Sequence, residues 1–263
     1  MRGFLSFLVD AIVSQECLVC GRGIGPFHVV GGAGPRLDPG LRMSEFLAAD
    51  LRLEVGAGIS VSARVLCPDC WLRLERAPCA GRLERPGAPV TSVPLVAPFF
   101  TNDELLALVR FFKFSGGRAA APPLGWWMAR ALRDHLEHAL ARGALDPVLI
   151  PVPLHPAREK SRGYNQASLL AWEVAERLGL DVDCRILKRT RNTKCQSMLD
   201  SSERSENVKG AFAIVGAHLV NGKNIVLVDD LVTTGETVGA AIAALEQALP
   251  SSVAVLSAGR VRD

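Results

Sequence analysis

Twice in this chain a strand-length apolar run leads through a polar loop into a helix-spaced apolar face and then into a second apolar run. That repetition constrains the fold more than any other feature. Residues 148–152 are apolar, broken only by Pro151 and bounded by Asp146, Pro147 and Pro153, which predicts a buried strand end. Beyond the next loop, Asn165 is placed to cap a helix. Leu169, Leu170, Trp172, Val174 and Leu178 supply most of its apolar face, Gly179 stands where a C′ residue belongs, and residues 181–187 return as a strand. The second unit runs from a strand at 225–228 through Val238, Ala241, Ile242, Leu245 and Leu249 at helical spacing to a closing strand at 252–256. Strand, helix, strand, twice, predicts an α/β fold with a parallel sheet and right-handed crossovers. Such sheets bind ligands at the carboxyl ends of their strands, here the loops after 152 and 228.

The loop after 228 carries the clearest chemistry. Asp229 and Asp230 close the strand, and Thr233, Thr234, Gly235, Glu236 and Thr237 lead into the helix. Adjacent carboxylates can accept hydrogen bonds from the vicinal hydroxyls of a ribose, or sit beside a divalent cation. The Thr/Gly stretch offers hydroxyls, backbone N–H groups and close approach at a helix N-terminus, where a phosphate is favoured. Together they describe a ribose 5-phosphate site; the plainer alternative is an Asp-rich turn with a threonine capping the helix. In the loop at 153–165, Arg158, Lys160 and Arg162 are cationic partners for a polyanion and Gly163 permits a tight turn, although such charges are also common on solvated loops. Tyr164, the chain's one tyrosine, is expected to pack beside that loop.

Composition bounds the rest. The 263 residues suffice for one large core and a small appendage, and 49% apolar with 22% charged residues is ordinary globular usage. A formal net charge of +3 argues against a blanket nucleic-acid binder. The apolar stretch at 4–13 is short and contains Asp10, so it is expected to be an amphipathic helix, with no membrane insertion and a reducing, cytoplasmic location. Gly and Pro cluster toward the front, which places a boundary near residue 90 and divides the chain into 1–90 and 91–263. The front part carries Cys17 and Cys20, then Cys67 and Cys70, two C-x2-C pairs able to offer four thiolates to one tetrahedral zinc, or else to act as redox pairs.

The run VLVDDLVTTGETV closely resembles the phosphoribosyl pyrophosphate (PRPP) motif of the type I phosphoribosyltransferases. With IPVPLHPAREKSRGYNQASLLA and RTRNTKCQSMLDSSERSENVKGAF before it, the chain from about residue 95 to its end resembles the competence-protein ComF/GntX family, in which a cysteine-bearing, zinc-ribbon-like region precedes a transferase-like domain. The resemblance implies that Asp229 and Asp230 take the ribose hydroxyls and residues 233–237 the 5-phosphate. The loop at 153–165 would then meet the pyrophosphate, and the basic run at 185–194 with the polar stretch at 196–207 would form a flap. A lysine before a Gly-containing turn, here Lys113, becomes a further substrate contact, against the usual reading of a snorkelling surface lysine. The sequence departs from the family in front: 46 residues separate the pairs, and beyond them only Cys79 stands where relatives carry a second set, which leaves one zinc site and an unusual insertion at 21–66.

The expected reaction replaces pyrophosphate at the anomeric carbon of PRPP by a nitrogenous acceptor, with magnesium on the substrate and Arg158, Arg162, Arg189 and Lys194 facing the developing charge. The alternative is a non-catalytic PRPP sensor or adaptor of DNA uptake, with competence-machinery proteins or single-stranded DNA as partners. The basic run at 185–194 could contact such a strand, yet it has no interleaved aromatics. The acceptor and the oligomeric state, a homodimer among the options, stay open.

Overall fold

The structure, a computed structural model, describes residues 15–24, 65–78, 80–85, 88–114, 117–140, 147–191 and 210–262. The expected helix at 4–13, Cys79, Lys194, Cys195 and most of the 21–66 insertion lie outside them.

The described residues begin with a short antiparallel pair, β1 (Gln15–Glu16) and β2 (Gly23–Ile24), followed by a single-turn helix α1 (Pro68–Leu72). Next come β3 (Ala80–Glu84), β4 (Ser92–Val96), β5 (Phe99–Phe100), helix α2 (Asp103–Phe114) and the long α3 (Ala121–Leu140). The first predicted unit is β6 (Val148–Pro151), α4 (Pro156–Arg162), α5 (Gln166–Leu178) and β7 (Asp181–Val182). A hairpin-like pair, β8 (Leu187–Arg189) and β9 (Phe212–Ile214), precedes the second unit of β10 (Asn224–Val232), α6 (Glu236–Glu246) and β11 (Ser252–Arg260).

The large sheet runs β3-β4-β11-β10-β6-β7, with β5 continuing along β11 past the end of β4. Its pairings are parallel except at the β3 edge, which is antiparallel to β4. Residues 80–84 lie before the expected boundary near 90 and nevertheless form this edge of the main sheet.

Each face of the sheet has its own apolar core. One packs Leu105, Leu108 and Phe112 of α2, Trp126 and Trp127 of α3 and Leu170 and Val174 of α5 against Val226, Val228 and Leu256. The other packs Val238, Ile242 and Leu245 of α6 and Leu187 and Phe212 against Ile225, Leu227 and Val255. Continuous apolar runs in β10 and β11 follow from burial on both faces.

The local signals act as expected on α5. Asn165 Oδ1 accepts the Ala167 N–H at 3.1 Å while Asn165 Nδ2 donates to the Val152 carbonyl at 3.0 Å, and Gly179 closes the helix with φ 69°. Three expectations need correction. β10 does not stop at Val228 but carries both acids within it and continues to Val232, because β11 is equally long and pairs Val232 with Arg260. The loop at 153–165 contains a helix, α4, begun by Pro156 and ended by Gly163 at φ 83°. The return strand at 181–187 breaks after Val182, where Asp183 Oδ1 accepts the Arg185 N–H at 2.8 Å and turns the chain.

Candidate functional site

Successive strand residues point to opposite faces, and the two acids of β10 accordingly meet different partners. Asp230 is buried, and the Lys113 ammonium at the end of α2 lies 2.8 Å from its Oδ1. Burial pulls the Lys113 ammonium down, but the carboxylates of Asp230 and Asp229 outweigh it and hold it above the ordinary lysine range. Lys113 is thus not a snorkelling surface residue. Asp229 has no such direct partner: burial, then the neighbouring charge of Asp230, push its carboxyl up to about 7, against Lys113, the Asp230 N–H that it accepts at 2.8 Å, and Arg189.

Arg189 projects from β8, where its guanidinium lies 5.3 Å from the centre of the Phe212 ring. Burial and the charge of Arg158 lower its pKa while Asp229 raises it, so Arg158, Arg189 and Asp229 share one electrostatic environment. Arg162 belongs to the Lys113 side. It donates to Gln166 Oε1 at 2.7 Å and lies 5.3 Å from the Phe114 ring. The anchor of this side is the carbonyl of Phe112, which accepts the Tyr164 hydroxyl at 2.5 Å and Gln166 Nε2 at 3.2 Å. Tyr164 packs beside the loop as expected, and burial raises its phenol.

After β10, Thr233 and Thr234 are exposed, and Gly235 turns the chain at φ 78° into α6. The N-cap position of α6 falls on Gly235, which has no side chain to cap the helix, so neither threonine occupies that position. Gly235 suits its place twice over, since its φ is left-handed and a Cβ there would push on Leu83 Cδ1 of the edge strand β3, which would have to shift. Glu236 does not turn fully outward: its Oε2 is buried without a hydrogen-bond partner, so backbone rather than carboxylate is what Glu236 can present to an anion. Thr237 is half-buried on the first turn.

Sequence reasoning missed three supporting residues. Leu83 lies outside the recognised motifs and limits Gly235, Gln166 is a 1% exposed polar residue that orients Arg162, and Asn102 caps α2 through the Leu105 N–H at 3.0 Å. Only the Asn102-Asp103-Glu104 start, a common helix opening, was legible in advance.

A second cluster lies under the amino end of α2. The turn after β1 carries Cys17 and Cys20, and Cys67 and Cys70 sit at the start of α1; the Leu18 N–H donating to the Val65 carbonyl at 3.1 Å ties the two segments together. The 46-residue separation therefore does not keep the pairs apart. All four Sγ atoms lie within 4.8 Å of one another, with Cys20 and Cys67 3.7 Å apart, and three of the four residues are buried. Tetrahedral zinc with sulfur at about 2.3 Å needs sulfurs about 3.8 Å apart, so the donor set fits such an ion. Burial pushes the Cys70 thiol up, against the donating Arg73 guanidinium.

Comparison with known proteins agrees with this geometry. Residues 165–259 match the family described as "Phosphoribosyl transferase domain". The chain is similar to DNA utilization protein YhgH of Escherichia coli (strain K12), 34% identical over 179 residues that cover 66% of this chain and 75% of that one. It is similar also to Competence protein F of Haemophilus influenzae, 34% identical over 51% of this chain and 58% of that one, and to Competence protein ComFC of Bacillus subtilis, 37% identical over 40% and 41%. With the phosphoribosyltransferase-type sheet, its paired acids and the four-cysteine cluster, these relatives show that the chain belongs to the ComF/GntX family.

Proposed function

We propose that the chain binds PRPP at the carboxyl edge of its sheet and transfers the phosphoribosyl group to a nitrogenous acceptor, releasing pyrophosphate. The observation that carries this reading is the succession of Asp229 and Asp230 near the end of the buried strand β10, the Thr233–Thr234 loop that follows it, and a helix start entered through Gly235. Asp229 and Asp230 accept the two ribose hydroxyls. The backbone and hydroxyls of Thr233, Thr234, Gly235, Glu236 and Thr237 receive the 5-phosphate. Arg158 and Arg189 on one side, and Arg162 beside Lys113 on the other, face the pyrophosphate, joined by Lys194 from outside the described residues. As the bond from the anomeric carbon to the pyrophosphate oxygen breaks and the bond to nitrogen forms, these cations stabilise the charge left on the departing oxygen, and the acceptor nitrogen passes its proton to solvent.

Magnesium fits as a companion of the substrate, since Asp230 is already neutralised by Lys113 and hard cations take phosphate and hydroxyl oxygens; when bound, it neutralises the pyrophosphate. Cys17, Cys20, Cys67 and Cys70 hold a structural zinc that organises the cysteine-bearing front region, while the strand at 80–84 belongs to the sheet of the transferase-like part. Among the described residues no helix is long and apolar enough to cross a membrane, and the reading is of a protein acting in the cytoplasm.

The names of the relatives, DNA utilization and competence, favour a second reading, that of a PRPP-binding adaptor of DNA uptake without turnover. Pyrophosphate release measured with PRPP, magnesium and a panel of bases, amines and ammonia separates the two. Release with one acceptor supports the transferase; PRPP binding with no release from any acceptor supports the adaptor.

A further inference from the structure

Helix α2 is held at its two ends by different sites. At its start Asn102 Oδ1 caps the Leu105 N–H at 3.0 Å, and the Asn102 amide is itself fixed by donating to the Arg73 carbonyl at 2.7 Å. Arg73 stands three residues after Cys70, and its side chain reaches in both directions. Nη2 donates to Cys70 Sγ at 2.8 Å, while Nε lies 3.1 Å from Glu104 Oε1 in the first turn of α2. Trp71 and Leu74, on either side of Arg73, share one apolar core with Leu105, Leu108 and Phe112 of the helix. At the far end, about 18 Å away for twelve residues of α-helix, Lys113 meets Asp230 and the Phe112 carbonyl anchors Tyr164 and Gln166.

Thiolates gathered on a metal carry net negative charge, and N–H donors around them both orient the ligands and are held by that charge. Arg73 is such a donor, and it also meets the start of α2 through Glu104 and Asn102. We propose that Arg73 is a positioning residue that couples the cysteine cluster to the sugar site through α2, so that the state of the cluster sets how firmly Lys113 is held against Asp230. The PRPP consequence rests on the function proposed above; the consequence for the helix does not. Neither Arg73 nor any of the four cysteines is among the residues assigned to the sugar.

The test uses the full chain loaded with zinc, the same chain stripped by a chelator, and Arg73→Met and Arg73→Lys. Hydrogen exchange is followed by mass spectrometry, zinc content by metal analysis and binding of PRPP with magnesium by calorimetry. Stripping, or Arg73→Met with zinc retained, is expected to speed amide exchange in residues 103–114 and weaken PRPP binding by at least about fivefold each, with exchange in 236–246 unchanged and partial rescue in Arg73→Lys. Unchanged exchange in 103–114 overturns the coupling, as does faster exchange with PRPP affinity unaltered. If the zinc-loaded chain binds no PRPP, the sugar-site reading fails while the exchange result still decides whether the cluster holds α2.

Discussion

Lys113 Nζ lies 2.8 Å from Asp230 Oδ1, so the more enclosed of two adjacent acids is neutralised by the chain itself, and its neighbour Asp229 is left to titrate. The division is built into the fold. Asp230 pairs directly with Lys113 of α2, whereas Asp229 makes no such pair and feels the charges of both Lys113 and Arg189.

Removing the lysine should therefore cost both binding and stability. Lys113→Met leaves Asp230 buried without its cation. Because the lysine is partly exposed, the loss should fall below that of a fully enclosed pair, at about 1–3 kcal/mol by denaturant titration. PRPP affinity by calorimetry should drop at least about tenfold.

Proton linkage at Asp229 has a definite sign. Its carboxyl holds a proton up to about 7 in the folded chain against 3.8 as the ordinary value, so between those pH values the folded state binds more protons than the unfolded one. Stability of the ligand-free protein should fall as pH rises through that window. Binding of ribose hydroxyls needs the ionised acceptor, so PRPP affinity should rise as pH passes about 7, and Asp229→Asn should abolish that dependence. Calorimetry and denaturant titration across pH check the two opposed slopes.

Two glycines with similar dihedrals should respond differently to alanine. Gly163 has φ 83° with open space around it, so Gly163→Ala should cost about 1 kcal/mol for the left-handed backbone alone. Gly235 has φ 78° and Leu83 against it, so Gly235→Ala adds a clash and should cost clearly more, with loss of PRPP binding. Denaturant titration of both variants makes the comparison.

Metal analysis of unoxidised protein should find one zinc per chain. Cys67→Ser should lose it, because the Cys67 sulfur lies within the four-sulfur cluster, while Cys184→Ser, whose thiol lies outside that cluster, should retain it.

Much of this was legible in the residues. The two strand-helix-strand units, the Asn165 cap and the Gly179 stop depend on local patterning, which adjacent residues determine. The motif from Asp229 to Thr237 was legible because its chemistry is also local. What could not be read was set by distant partners. β10 runs on through its acids because β11 accompanies it, Lys113 is drawn from the surface by Asp230, and Leu83 reaches Gly235 from a strand that composition assigned to the front of the chain. The cysteine pairs were recognisable as ligands, but only folding across 46 residues brings them together, and Arg73 had no sequence signal until its contacts with Cys70 and Glu104 were seen.

The most direct test is calorimetric titration of the zinc-loaded chain with PRPP and magnesium, beside the double variant Asp229→Asn plus Asp230→Asn. One PRPP should bind per chain, with affinity lost at least about a hundredfold in the variant. Equal affinity in the two proteins, or no binding by the unaltered chain, would contradict the assignment of this strand end as the ribose site.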